Sequence, residues 1–143
     1  MNSYELFNIL QKYKSIMEFN KGCSESMLEE FQCKNGIRLP KSLVDLLKCF
    51  DGGELFIPGI VIYGTGKNGG LSLKEVNKRD KRSIFNIPKN YLIFAKVNYG
   101  DFLCIDLNGK NEVIQWEHEL DEEFCRWDSL ESWLRETIEY SDK

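Results

Sequence analysis

The sequence is poor in the residues that most often carry chemistry. It holds a single histidine, His118, and its five cysteines (Cys23, Cys33, Cys49, Cys104, Cys125) form no CxxC pair. A metal centre of Cys and His ligands lacks both the number and the spacing it needs. The odd cysteine count argues for reduced thiols rather than a disulfide framework. Proline occurs only three times, and no segment is repeated or of low complexity. Long apolar runs are also missing. The longest, residues 59–63 and 91–95, fall far short of the roughly 20 residues that span a bilayer. Residues 1–14 are amphipathic rather than a basic patch followed by an apolar run, so no secretory signal and a cytoplasmic location are expected.

What remains is ordinary globular material. A chain of 143 residues with 42% hydrophobic and 13% aromatic side chains suits one domain, residues 1–143, with a packed core. Net charge is −4, unevenly spread: residues 112–143 carry −8 and residues 1–111 carry +4. The acidic C-terminal third disfavours direct nucleic-acid binding and favours a basic protein partner. The plainer reading, that these acids only solvate a surface, stays open.

Apolar periodicity predicts a helix over residues 3–17. Ser24 is an expected N-cap for a second helix carrying Leu28 and Phe31, stopped by Asn35-Gly36. Pro40 opens a third, with Leu43, Leu46, Leu47 and Phe50 as its buried stripe and Gly52-Gly53 as its stop. Residues 54–64 read as strands broken at Pro58-Gly59. A flexible loop, GTGKNGG, follows. Ser72 and Glu75 are spaced as a capping box for a short helix from Leu73 to about Lys78. Residues 91–97, 101–107 and 112–116 read as strands, with Asn108-Gly109 a hairpin turn whose residues tolerate positive φ. Asp128 and Glu131 are spaced to cap a C-terminal helix bearing Leu130, Trp133, Leu134 and Ile138. The class is therefore α+β: N-terminal helices and a C-terminal helix packed on a mostly antiparallel β-sheet.

Several motifs compete for a functional role. GTGKNGG lacks the Lys-Ser/Thr ending of a phosphate loop, and the antiparallel order supplies no crossover unit for a dinucleotide site. The basic run at residues 74–82 has no interleaved aromatic for nucleic-acid stacking. His118 titrates near neutrality, but Glu117 and Glu119 would point to the opposite face of a strand, and no nucleophile turn is present. No catalytic residue, cofactor or metal is expected.

Larger stretches carry a resemblance. Residues 28–53 (LEEFQCKNGIRLPKSLVDLLKCFDGG) read as helix, Leu-Pro, helix and Gly-Gly stop. Residues 87–107 (IPKNYLIFAKVNYGDFLCIDL), then VIQWEHE, read as a Pro-led strand, a Gly-Asp turn and a strand ending in Trp. SLESWL fits a terminal helix, and Asn77 follows the first strands. In this order the chain resembles the SUKH superfamily, which includes yeast cell-wall-synthesis regulators and many bacterial immunity proteins. The resemblance implies a non-enzymatic module whose most fitting partner is a cognate toxin domain, often a nuclease. The alternatives are a regulatory scaffold and a small hydrolase using His118. The expected binding face is the acidic segment Glu117, Glu119, Asp121, Glu122 and Glu123, with Asp101 and Asp106 beside it. A nuclease groove must be positive to hold phosphates, so an acidic surface could occupy it.

Overall fold

The computed structural model describes residues 5, 8, 12, 17–55, 59–67, 69 and 72–141. Seven strands form one sheet: β1 (Met17–Lys21), β2 (Phe50–Leu55), β3 (Ile60–Ile62), β4 (Tyr91–Val97), β5 (Phe102–Asp106), β6 (Val113–Glu117) and β7 (Glu122–Trp127). They lie in chain order, each antiparallel to its neighbours. Five helices of 4 to 12 residues complete the described fold: α1 (Glu25–Asn35), α2 (Lys41–Cys49), α3 (Leu73–Val76), α4 (Arg79–Ser83) and α5 (Leu130–Ser141). The class is α+β, as the residue pattern predicts.

Local signals explain most of the elements. The Ser24 hydroxyl accepts from Met27 N at 3.3 Å and starts α1. Gly36 ends it at φ 62°, where a Cβ would be strained. Pro40 is the N-cap of α2, whose Leu43, Leu46 and Leu47 are fully buried. The Ser72–Glu75 capping box forms in full and opens α3.

Other expectations are corrected. Most of the helix expected over residues 3–17 lies outside the described residues; Glu5 and Asn8 are helical, but Met17 opens β1. Phe50 begins β2 instead of ending α2, and Gly53 pairs with Ile62 inside the sheet rather than stopping a helix. A buried side chain at a helix–strand junction fits either period, so Phe50 misleads. The hairpin after β5 exists, but its left-handed residue is Asn111 at φ 63°, not Asn108 or Gly109. The cap of α5 is Ser129, whose hydroxyl accepts from Ser132 N at 3.0 Å, one residue past Asp128.

Two excursions leave the sheet. One, between β1 and β2, holds α1 and α2; the other, between β3 and β4, holds the Gly-rich loop, α3 and α4. Asp51 of β2 anchors the loop by accepting from Thr65 N at 2.7 Å and from the Thr65 hydroxyl. Asn77 anchors the end of α3. Its amide donates to Ile93 O and accepts from Ile93 N, both at 2.8 Å, standing in for a neighbouring strand where β3 has ended. This explains an asparagine there: its side-chain amide carries a donor and an acceptor on separate atoms, spaced like those of a peptide group.

Register places Lys96, Phe102 and Trp116 on one face of the sheet. Phe85 packs edge-on against Phe102 there, with ring centroids 5.0 Å apart, and its carbonyl accepts from the Trp116 indole N–H at 2.8 Å. Trp133 of α5 meets Phe94 edge-on at 5.4 Å. Trp116, Trp133 and Leu134 all belong to the same core, as their pattern positions predict.

Candidate functional site

The last two hairpins bring the acidic C-terminal third together. After β4 the chain turns through Asn98-Tyr99-Gly100 into Asp101. Gly100 sits at φ 111°, and a Cβ there would lie 2.9 Å from the Nε2 of His118. Glycine is therefore required twice over, by backbone and by contact. His118 lies in the turn after β6, not within the strand, so the alternation argument for its neighbours does not apply.

The partner that strand reasoning missed is Asp101, 17 residues upstream. It is only 3% exposed. Its Oδ1 meets His118 Nδ1 at 2.6 Å and accepts from His118 N at 3.2 Å. Its Oδ2 accepts from Gln115 Nε2 at 2.8 Å. Gln115 spends its second amide hydrogen on the Tyr99 hydroxyl at 2.8 Å. A carboxylate can only accept, so the ionised Asp101 fixes the hydrogen on Nδ1 of His118. Burial alone would raise the Asp101 carboxyl, but hydrogen bonds from Gln115 and His118 outweigh it and hold the group below its ordinary range. The hydrogen bond to Asp101 raises His118 against a smaller opposing effect of burial, helped by the charges of Asp101, Glu119 and Glu117.

The other predicted site residues separate by environment. Glu117 folds back to accept from Glu119 N at 3.2 Å and Leu120 N at 2.6 Å, so it shapes the β6–β7 turn. Asp121 occupies a left-handed conformation at φ 53° and accepts from the Asn86 amide at 3.1 Å. Glu123 and Asp106 gather on Arg126, at 2.8 Å and 3.5 Å, with Glu112 at 3.2 Å. Tyr91 also donates to Glu123 at 3.2 Å. Glu119 approaches only the His118 ring, at 3.9 Å, and is exposed. Glu122 is exposed, and its side chain has no ion pair or hydrogen bond among the described residues.

Two residues that charge reasoning passed over share this hairpin. Leu120 and Phe124 are 70% and 68% exposed. Phe124 is left unpaired at an irregularity in the β6–β7 register, which turns a large apolar side chain outward on the last strand of the sheet. The sequence signal was present, an aromatic and a leucine among acids, but charge dominated its reading.

Chemically, the cluster is a locked pair rather than a triad. Donor atoms of Asp101, Glu117 and His118 lie within 4.8 Å of one another. A cation there would have to displace the bonds to His118, Gln115 and the turn amides. Four clefts among the described residues are lined by other side chains, not by His118 or Asp101.

The sequence model of the SMI1 / KNR4 family (SUKH-1) matches residues 22–136, most of the chain. The chain belongs to the SMI1/KNR4 family. No curated protein matches it. The SUKH-1 match spans α1 through most of α5, so it takes in Asn77, the Asp101–His118 pair and the whole acidic hairpin. No described helix is long and apolar enough to cross a membrane.

Proposed function

We propose that this SUKH-1 protein is a non-enzymatic binding module that acts as an immunity protein in the cytoplasm, neutralising a cognate toxin domain. The observation that carries the reading is the β6–β7 hairpin: two exposed apolar side chains, Leu120 in the turn and Phe124 on the edge strand, framed by carboxylates. Such a patch suits a partner with a basic, partly apolar groove, as a nuclease domain has. The carboxylates steer encounter, and Leu120 and Phe124 supply the desolvated contact that holds it. No metal or cofactor enters this reading.

The test takes any candidate toxin domain encoded next to this gene. Co-expression should restore growth, and the purified proteins should associate faster at low salt than at moderate salt. Glu119→Lys with Glu122→Lys should cut the association rate about tenfold or more and flatten its salt dependence, with the fold intact. Failure of the parent protein to protect cells would leave a regulatory scaffold as the better account. Protection with unchanged kinetics in the variant would move the binding face elsewhere.

A further inference from the structure

The basic half of the charge asymmetry has a location too. A cleft of about 550 Å³ opens between α1, the start of the Gly-rich loop and α3. Lys34 comes from α1, Lys67 from the loop and Lys74 from α3. A second cleft of about 270 Å³ shares Met27 and Lys67 with the first and adds Lys21 from the end of β1. Four lysines from four separate elements thus line two adjoining clefts that meet at Met27 and Lys67. None pairs with a carboxylate among the described residues; the ion pairs of lysine there belong to Lys41 and Lys48. The one acid lining either cleft is Glu30.

We propose that these adjoining clefts together bind a polyvalent phosphorylated small molecule. The floor, Phe31 and Met27, is apolar and gives a ligand little to hydrogen-bond. The neutral polar groups at the rim are already committed: the Thr65 hydroxyl donates to Asp51 and the Ser72 hydroxyl donates to Glu75. Recognition therefore falls to the lysines, which act as mobile point charges rather than as a geometric fork. That favours a ligand with several closely spaced negative charges over one with a specific shape. The volume lies within the range of small-molecule sites, about 300–1,000 Å³. Lys67 donates only to Met27 Sδ, at 3.8 Å, and none of these lysines has a carboxylate partner among the described residues, so a polyvalent anion that bridges neighbouring ones relieves their mutual repulsion. The capping box and the Asp51–Thr65 bonds keep two of the three walls in place without a ligand. The site is remote in composition from the acidic hairpin and does not depend on its role.

Calorimetric titration with sodium pyrophosphate at low ionic strength tests the proposal on the full chain. One saturable site is expected, weakening steeply with salt and accompanied by a rise in melting temperature. Lys34→Ala, Lys67→Ala and Lys74→Ala combined should lower affinity by at least about tenfold. Because these side chains are exposed, the variant should melt like the parent in buffer alone. Glu30→Gln, which removes the opposing carboxylate, should tighten binding. A control variant, Arg79→Ala with Lys81→Ala, should bind like the parent. No saturable binding, equal loss in the control, or preference for a glutamate-rich peptide over pyrophosphate would each overturn it.

Discussion

The base and the tip of the C-terminal hairpins are built from the same kinds of residue and have opposite characters. At the base, Asp101, Gln115 and His118 are tied by bonds of 2.6–2.8 Å, and the carboxylate is buried. At the tip, Glu122 and Phe124 stand exposed on an edge strand. The difference teaches that five acids in seven residues are not one surface. Glu117 and Asp101 hold the chain in shape, Asp121 accepts from Asn86, and Glu123 and Asp106 balance Arg126; of the set, Glu119 and Glu122 are the exposed acids left for the proposed encounter.

The contrast can be broken from the inside first. Trp133 lies in the core that supports β4 and the C-terminal helix, 2% exposed. Trp133→Ala should cost about 3–5 kcal/mol, seen as a large shift in the denaturant midpoint. A variant that melts like the parent would mean the base needs no such backing. Next comes Asp101→Ala, which strands the Gln115 amide and His118 N in a buried setting. A loss of about 1–3 kcal/mol is expected by the same measurement. The corresponding change at the tip, Glu122→Ala, should stay within about 0.5 kcal/mol.

Acidity sharpens the comparison further. The folded state raises His118 above its ordinary 6.5, so its pairing stabilises fully below that value and fades as pH climbs through the raised one. Asp101 is lowered from 3.8, so its share is present above 3.8 and is lost as pH falls through the depressed value. The gap in melting temperature between the parent and His118→Ala should therefore be widest between those two ordinary values and narrow in alkaline buffer. A gap that grows with pH would show that the ring acts by packing over Gly100 and not by charge.

The smallest expected effect on stability is at the tip, where the readout is binding. Phe124→Ala should leave the melting curve nearly unchanged and speed dissociation from the proposed toxin partner, whereas Glu122→Gln should mainly slow association. If both substitutions altered only stability, the tip would be part of the scaffold.

Much of the scaffold was legible because its signals are local. Ser24, Gly36 and the Ser72–Glu75 box announce helix ends within four residues, and the apolar residues of β4 and β5 read as strands directly. Two strands were hidden. Met17–Lys21 continued an apolar period that suited a helix, and only its pairing with β2 reveals it. Glu122–Trp127 carries two glutamates and an arginine, residues poor in strand propensity, yet β6 holds it in the sheet. The Asp101–His118 bond escaped for a related reason: it joins two turns across a strand pair, and sequence spacing alone does not set the register that brings them together.

The order of the strands has a kinetic consequence. Each strand pairs only with its neighbours along the chain, so the sheet can grow by zipping successive hairpins. Closure is cheap for β4 to β7, whose connections are short. It is dearer for β3 on β4, which must gather residues 63–90 first, and loop closure costs more entropy as the loop lengthens. Asn77 is the clasp of that loop, since its amide joins the excursion to β4. Pulsed hydrogen exchange during refolding should therefore find the β5 and β6 amides protected before those of β3. Simultaneous protection would mean that the sheet condenses all at once.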